Sequence, residues 1–221
     1  MIKLPHVKQA SSESLVKTVT ADIKAGIHFV TKENTKIGKI LLVSGFIGLF
    51  FFPVVFVVLP ALLSTYFEVT EAVLGIIQGV VVFGGTAGVI FLGFMGEKAT
   101  ISQTRMLLIA SSLALLLAGV SLTWSNSRMV SMVMLIISFF IIMAISTMFA
   151  IIGSSYIGEN TPEYLLGKVT SLDYAVAMGT IALGNYIFGF LLNHFIDTVG
   201  IVLLIVGGIA IIGAYFLRIT E

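Results

Sequence analysis

The sequence predicts an all-α, polytopic membrane protein: a six-transmembrane-helix bundle built of two inverted three-helix repeats. Three observations carry the six-helix part of that prediction, and the placing of the glycine-rich helices, given below, suggests the repeats. The chain is 58% hydrophobic and 10% charged, with mean hydropathy +1.12, whereas soluble domains carry about 25% charged residues. Six apolar stretches of roughly the ~20 residues that cross a bilayer follow one polar stretch. Lysine and arginine fall almost entirely on one side when the six stretches alternate.

The polar stretch is residues 1–36, and the bundle occupies residues 37–221. Within the first region Leu15, Val19, Ile23, Ile27 and Val30 recur at helical spacing, with Lys17, Lys24 and Lys32 off that stripe. Such an amphipathic helix either lies in the cytoplasmic membrane interface or is solvated and packed on neighbouring loops. MIKLPHVKQASSES lacks the apolar core of a signal peptide, so the first membrane helix drives insertion.

Helix one is predicted from Ile37 to Tyr66. It contains Pro53 and Pro60, seven residues apart and near one face. Each proline removes a backbone hydrogen bond, giving a static kink or a hinge beside a cavity. Helix two runs from Ala72 to Met95 with Gly75, Gly79, Gly84, Gly85, Gly88 and Gly93. In lipid, small residues let helix backbones approach closely, and Gly75/Gly79 and Gly84/Gly88 both have the required spacing. Helix three spans Met106 to Thr123 and helix four Met129 to Ile157; their serines and threonines form no distinctive array. In GENTPEYLLGKV, Thr161 reads as an N-cap, Pro162 as a first-turn residue and Glu163 as a favourable acid at the positive helix end. That start places Lys168 at the inner boundary. Helix five runs from Leu166 to Phe195, with Gly167, Gly179, Gly184 and Gly189, and helix six from Val199 to Leu217.

Charge sets the orientation. Lys3, Lys8, Lys17, Lys24, Lys32, Lys36, Lys39, Lys98, Arg105, Lys168 and Arg218 share one side; Arg128, Glu68, Glu71 and Asp197 share the other. The positive-inside rule places both termini in the cytoplasm. The outer connections are very short, so neighbouring helices pack as antiparallel hairpins. Helices two and five, both rich in glycine, are the second members of two successive triplets, the arrangement of inverted-repeat transporters.

Asp173 is the sharpest candidate site residue. It lies about two turns inside helix five, where an aspartate is too short to reach the headgroups. Placing it there costs ~3 kcal/mol. Thr170, Val169, Val176 and Ala177 occupy the neighbouring positions on its own helix, so no cation is at hand. It needs a partner from another helix, a wet cavity, or a proton. A carboxyl that loads and releases protons suits proton-coupled antiport; a carboxyl at headgroup level would only support packing near the inner loop. Gln78 in helix two and Asn185 in helix five are uncharged polar residues at mid-membrane depth. They line a substrate path or bond a neighbouring helix, the latter worth ~0.6 kcal/mol.

Other chemistry finds little footing. Net charge is +1, so no basic field points to nucleic acid. There is no cysteine, and His6, His28 and His194 stand far apart. No HExxH, GxxxxGK[ST] or GxSxG occurs. Neither an enzyme nor a metal or other cofactor is expected.

Three stretches carry a resemblance: ADIKAGIHFVTKENTKIGKILL, GFMGEKATISQTR and TPEYLLGKVTSLDYAVAMGTIALGNYIFGFL. The chain resembles the C-terminal half, helices seven to twelve, of a major facilitator superfamily transporter of the drug- and macrolide-efflux type. The first stretch is similar to the end of the family's central cytoplasmic linker. The second occupies the place of the loop between helices eight and nine, reduced here to Gly93, Gly96, Glu97, Lys98 and Arg105. The third resembles the loop and eleventh helix, with Gly167 and Lys168 as the Gly-basic pair. The resemblance implies a gating loop at these positions. It also implies proton-coupled efflux of a small amphipathic compound by alternating access in the plasma membrane, as in the bacterial cytoplasmic membrane. It covers the chain from about Ala21 onward and makes this a split half, a truncated remnant, or a half that dimerises. Its partners would be the lipid bilayer, a proton, the substrate, and an N-terminal six-helix half or a second copy. The other expectation is a non-transporting membrane subunit, scaffold or inactive fragment. Asp173 matches no general motif of the family, and its role rests on the physical argument.

Overall fold

Lipid offers no partner to an open backbone amide, so each apolar stretch must close its own hydrogen bonds as a helix. The computed structural model describes residues 12–96, 101–125 and 127–217. Six helices in it are long and apolar enough to cross a membrane: Thr35–Tyr66, Glu71–Met95, Thr104–Trp124, Arg128–Asn160, Glu163–Phe195 and Val199–Phe216. The protein is a multi-pass membrane protein. The predicted helix ends lie within three residues of these. A shorter helix, Ser12–His28, precedes them, and no strand occurs among the described residues. A π-helical turn, Phe29–Glu33, and then Asn34 separate it from helix one, the Asn34 side chain accepting a hydrogen bond from the Ile37 amide at 3.3 Å.

Helix one packs along helix five, helix two along helix four, and helix three on both four and six. Glycines build the one–five, two–four and three–six pairings, as van der Waals packing in lipid favours. Gly84 and Gly88 lie directly against the backbone carbonyls of Phe140 and Ala144 in helix four. A methyl at Gly119 would meet the Gly200 carbonyl of helix six at 2.9 Å. A methyl at Gly184 would lie 2.5 Å from both the Leu49 carbonyl and the Pro53 ring of helix one. An amide at position 53 would have bonded that same carbonyl, but proline has none.

Gly75 and Gly79 correct one expectation. They share the spacing of Gly84 and Gly88 but have nothing within 4 Å of an added methyl, and nor have Gly93, Gly167, Gly179 or Gly189. Nine residues are two and a half turns, so Gly75 and Gly79 face opposite to Gly84 and Gly88.

The prolines leave a local signature. The backbone widens to π-helical turns at Val54–Val58, just after Pro53, and at Leu62–Tyr66, just after Pro60. The inner hairpin is a second correction. Helix five begins at Glu163 with Pro162 in the capping position, and the Leu165 and Leu166 amides bond the Pro162 carbonyl at 2.9 and 3.0 Å. Thr161 is not the N-cap. It terminates helix four with an extended backbone, and its hydroxyl is buried without a hydrogen-bond partner among the described residues. The link is too short to give each helix its own cap.

Helices four and five have 33 residues each, about 50 Å at the usual rise, against a hydrocarbon core of ~30 Å. Helix three has only 21 residues and joins helix four at the far end. The excess therefore projects at the end that carries Lys36, Lys39, Arg105 and Lys168, here the basic end. The N-terminal helix packs there on the start of helix five. A methyl at Gly26 would lie 3.6 Å from the Lys168 carbonyl. Of the predicted apolar stripe, Val30 is buried while Ile23 and Ile27 stay exposed; the side chains of Leu15 and Val19 lie outside the described ones.

Candidate functional site

Helix five presents Val169, Asp173, Val176, Thr180 and Gly184 at intervals of three and four, which is one helical face. That face seats on helix one. A methyl at Gly45 would touch Val176 at 3.0 Å and Thr180 at 3.4 Å, and one at Gly48 would reach the Ala177 carbonyl at 3.0 Å. The register that packs helix five on helix one therefore carries Asp173 to the same seam. Ser44 of helix one lines the same cavity as the carboxyl. The Oδ1 atom is buried with no hydrogen-bond partner among the described residues.

Beside the carboxyl lies a cavity of about 430 Å³ between helices one, four and five. Small-molecule sites fall at roughly 300–1,000 Å³. Helix one contributes Ser44 and Phe52, helix four Ser146, Phe149 and Ser154, and helix five Thr170, Asp173, Tyr174 and Met178. The cavity occupies the half of the bundle toward the basic end. Its lining residues Ala150, Ser154, Tyr174 and Met178 are exposed, so one side is unwalled.

The other candidates do not gather there. Gln78 lines a separate crevice of about 110 Å³ with Val55, Phe56, Leu59 and Val82, between helices one and two and toward the opposite end. Asn185 sits one turn beyond Ile181, the last lining residue of helix five, and its Oδ1 is buried without a partner among the described residues. Pro53 follows the lining residue Phe52 and rests on Gly184, whereas Pro60 is farther toward the opposite end. Gly93 faces open space. Gly96 ends helix two at φ 53°, a backbone that glycine adopts without strain. Glu97 and Lys98 lie outside the described residues. The Arg105 guanidinium sits over the Tyr215 ring of helix six at 5.1 Å. Lys168 Nζ meets Asp22 Oδ1 of the N-terminal helix at 2.9 Å. Arg105 and Lys168 thus take separate partners, and neither is Asp173.

That ion pair makes a prediction. Both groups are partly exposed, so the pair is worth roughly 0.5 kcal/mol. Lys168→Glu should about double the undocked fraction of the N-terminal helix, and Asp22→Lys added to it should restore docking. Spin-label distances between Lys24 and Ser171 positions measure this; no change in the single variant would remove the ion pair from the docking contact.

Ser44, Ser146, Ser154, Thr170 and Tyr174 line the cavity but are not read from the sequence as site residues. One signal was present. Ser146, Ala150 and Ser154 repeat at four-residue intervals and mark a small, partly polar stripe on helix four. No protein-family model, curated protein or solved structure matches the chain.

Proposed function

We propose that this chain is a membrane transport protein: a six-helix half of a facilitator-type exporter that moves a small amphipathic compound outward against proton entry. It lies in the plasma membrane, the cytoplasmic membrane of a bacterium, with both termini and the basic end in the cytoplasm. The reading includes no catalysis and no cofactor. One observation carries it: a carboxyl in the basic-end half of helix five lies beside a cavity of small-molecule size whose fourth side is missing. Ionisable residues inside spans face cavities or partners and mark substrate and proton paths.

Two further features support it. If helices one to three are relabelled onto four to six, the one–five pairing becomes four–two and the three–six pairing maps to itself, whereas the three–four pairing has no comparable six–one counterpart. Repeats related by a twofold axis in the membrane plane behave this way. Helices two and five are also the least covered spans, 28% and 17% buried against 39% or more elsewhere. Their outward glycines, Gly75, Gly79, Gly179 and Gly189, have open space beside them. Small residues on an uncovered face admit another helix closely. The missing wall belongs to a second bundle, either an N-terminal six-helix half or a second copy of this chain.

Vesicles with a trapped pH-sensitive dye test this. The chain is inserted as a monomer or together with a second bundle, and amphipathic cations, neutral compounds and anions are added in turn. Compound-dependent collapse of the proton gradient should require both bundles. Equal flux from the monomer would overturn the need for a second wall. No flux with any compound in either arrangement would make the chain a non-transporting subunit.

A further inference from the structure

We infer that the Asp173 cavity takes an organic monocation, an amine or onium group on a bulky apolar or aromatic body. The inference rests on reading the cavity as the transport site and adds the class of its ligand.

The charge inventory decides the sign. Asp173 is the single charged residue among those lining the cavity, which otherwise offers hydroxyls and apolar side chains. Lys168, the nearest cation along helix five, is held by Asp22 at 2.9 Å. Arg105 is held over Tyr215 of helix six. A carboxylate without a counter-ion in a low-dielectric pocket attracts a cation strongly and repels an anion. A neutral ligand lacking an N–H or O–H donor would leave Oδ1 without a partner, the costly outcome for a buried polar atom.

The lining decides the rest. Phe52, Phe149 and Tyr174 present aromatic rings, which attract cations through their faces and pack against apolar bodies. Met178 adapts to varied shapes. The hydroxyls of Ser44, Ser154 and Thr170 can accept N–H donors around the carboxylate. A bare metal ion fits poorly. Hard cations need about six or more oxygen ligands, and no group of three metal-binding side chains exists among the described residues. A single carboxylate balances one charge.

Tetraphenylphosphonium and tetraphenylborate are near-isosteres of opposite charge, and their retention by the chain in lipid nanodiscs, corrected for empty nanodiscs, tests the inference. The wild-type chain should retain the phosphonium at least about tenfold more tightly than Asp173→Asn, a difference of ~1.4 kcal/mol. Asp173→Glu should keep most of that retention, and all three chains should melt alike. Equal phosphonium retention by wild type and Asp173→Asn would overturn the inference, as would equal retention of the borate. Transport of a neutral or anionic compound by a chain that ignores the phosphonium would overturn the cation class and leave the transport reading standing. Charge-selective retention without flux of any compound would overturn transport and leave the cation site standing.

Discussion

Replacing Asp173 by asparagine should abolish the proposed proton-coupled flux and leave the bundle folded. Asparagine matches the carboxyl in size, so the seam between helices one and five stays closed. It cannot take up or release a proton. Flux driven by a proton gradient should fall at least ~100-fold, the loss expected when the one proton-exchanging group of a path is removed. The variant should melt like wild type, because the substitution changes neither the size of the side chain nor the packing of the seam. Asp173→Lys should also abolish coupled flux. Undiminished proton-driven flux in the asparagine variant would remove Asp173 from the mechanism.

Glycine replacements should split into two classes by face. At Gly88 any side chain meets the Ala144 backbone carbonyl, and at Gly84 that of Phe140. A carbonyl within a helix cannot swing aside as a side-chain tip can, so helices two and four must separate. Gly88→Leu should cost at least the ~3 kcal/mol of severe overpacking, seen as lost monodispersity and a collapsed melting transition in detergent. At Gly79 an added Cβ has nothing within 4 Å among the described residues, so Gly79→Leu starts into open space. It should melt like wild type and lower flux only when the second bundle is present. A melting loss at Gly79 equal to that at Gly88 would contradict the assigned faces.

These two residues also show where sequence reasoning stops. Gly75/Gly79 and Gly84/Gly88 have the same spacing, and spacing alone does not say which face meets a neighbour. The helices themselves were legible because hydrocarbon imposes one rule on every span, and their ends fell where polarity returned. The hairpin after helix four was misread at Thr161 because two helices compete for the same short link. Asp173 was legible because a charge at that depth is conspicuous. Its surroundings were not. Ser44 and Ser154 are ordinary helix residues until helix one is laid on helix five and helix four beside both. That pairing depends on Gly45 and Gly48, whose role appears only with the partner helix in place. Asn185 and Gln78 looked equivalent to one another by depth, yet they lie on different helices with different neighbours.

The contact of Pro53 with Gly184 bears on how the protein can move. The bulge of helix one at Pro53, with the Leu49 carbonyl beside it, fits helix five where a side chain is missing. Sliding helix five by one turn would bring Phe188 or Thr180 against that bulge. The two helices are therefore locked in register and cannot ratchet past each other. On the proposed transport reading, exposure of the cavity first to one side of the membrane and then to the other would come from tilting the whole bundle against a second one.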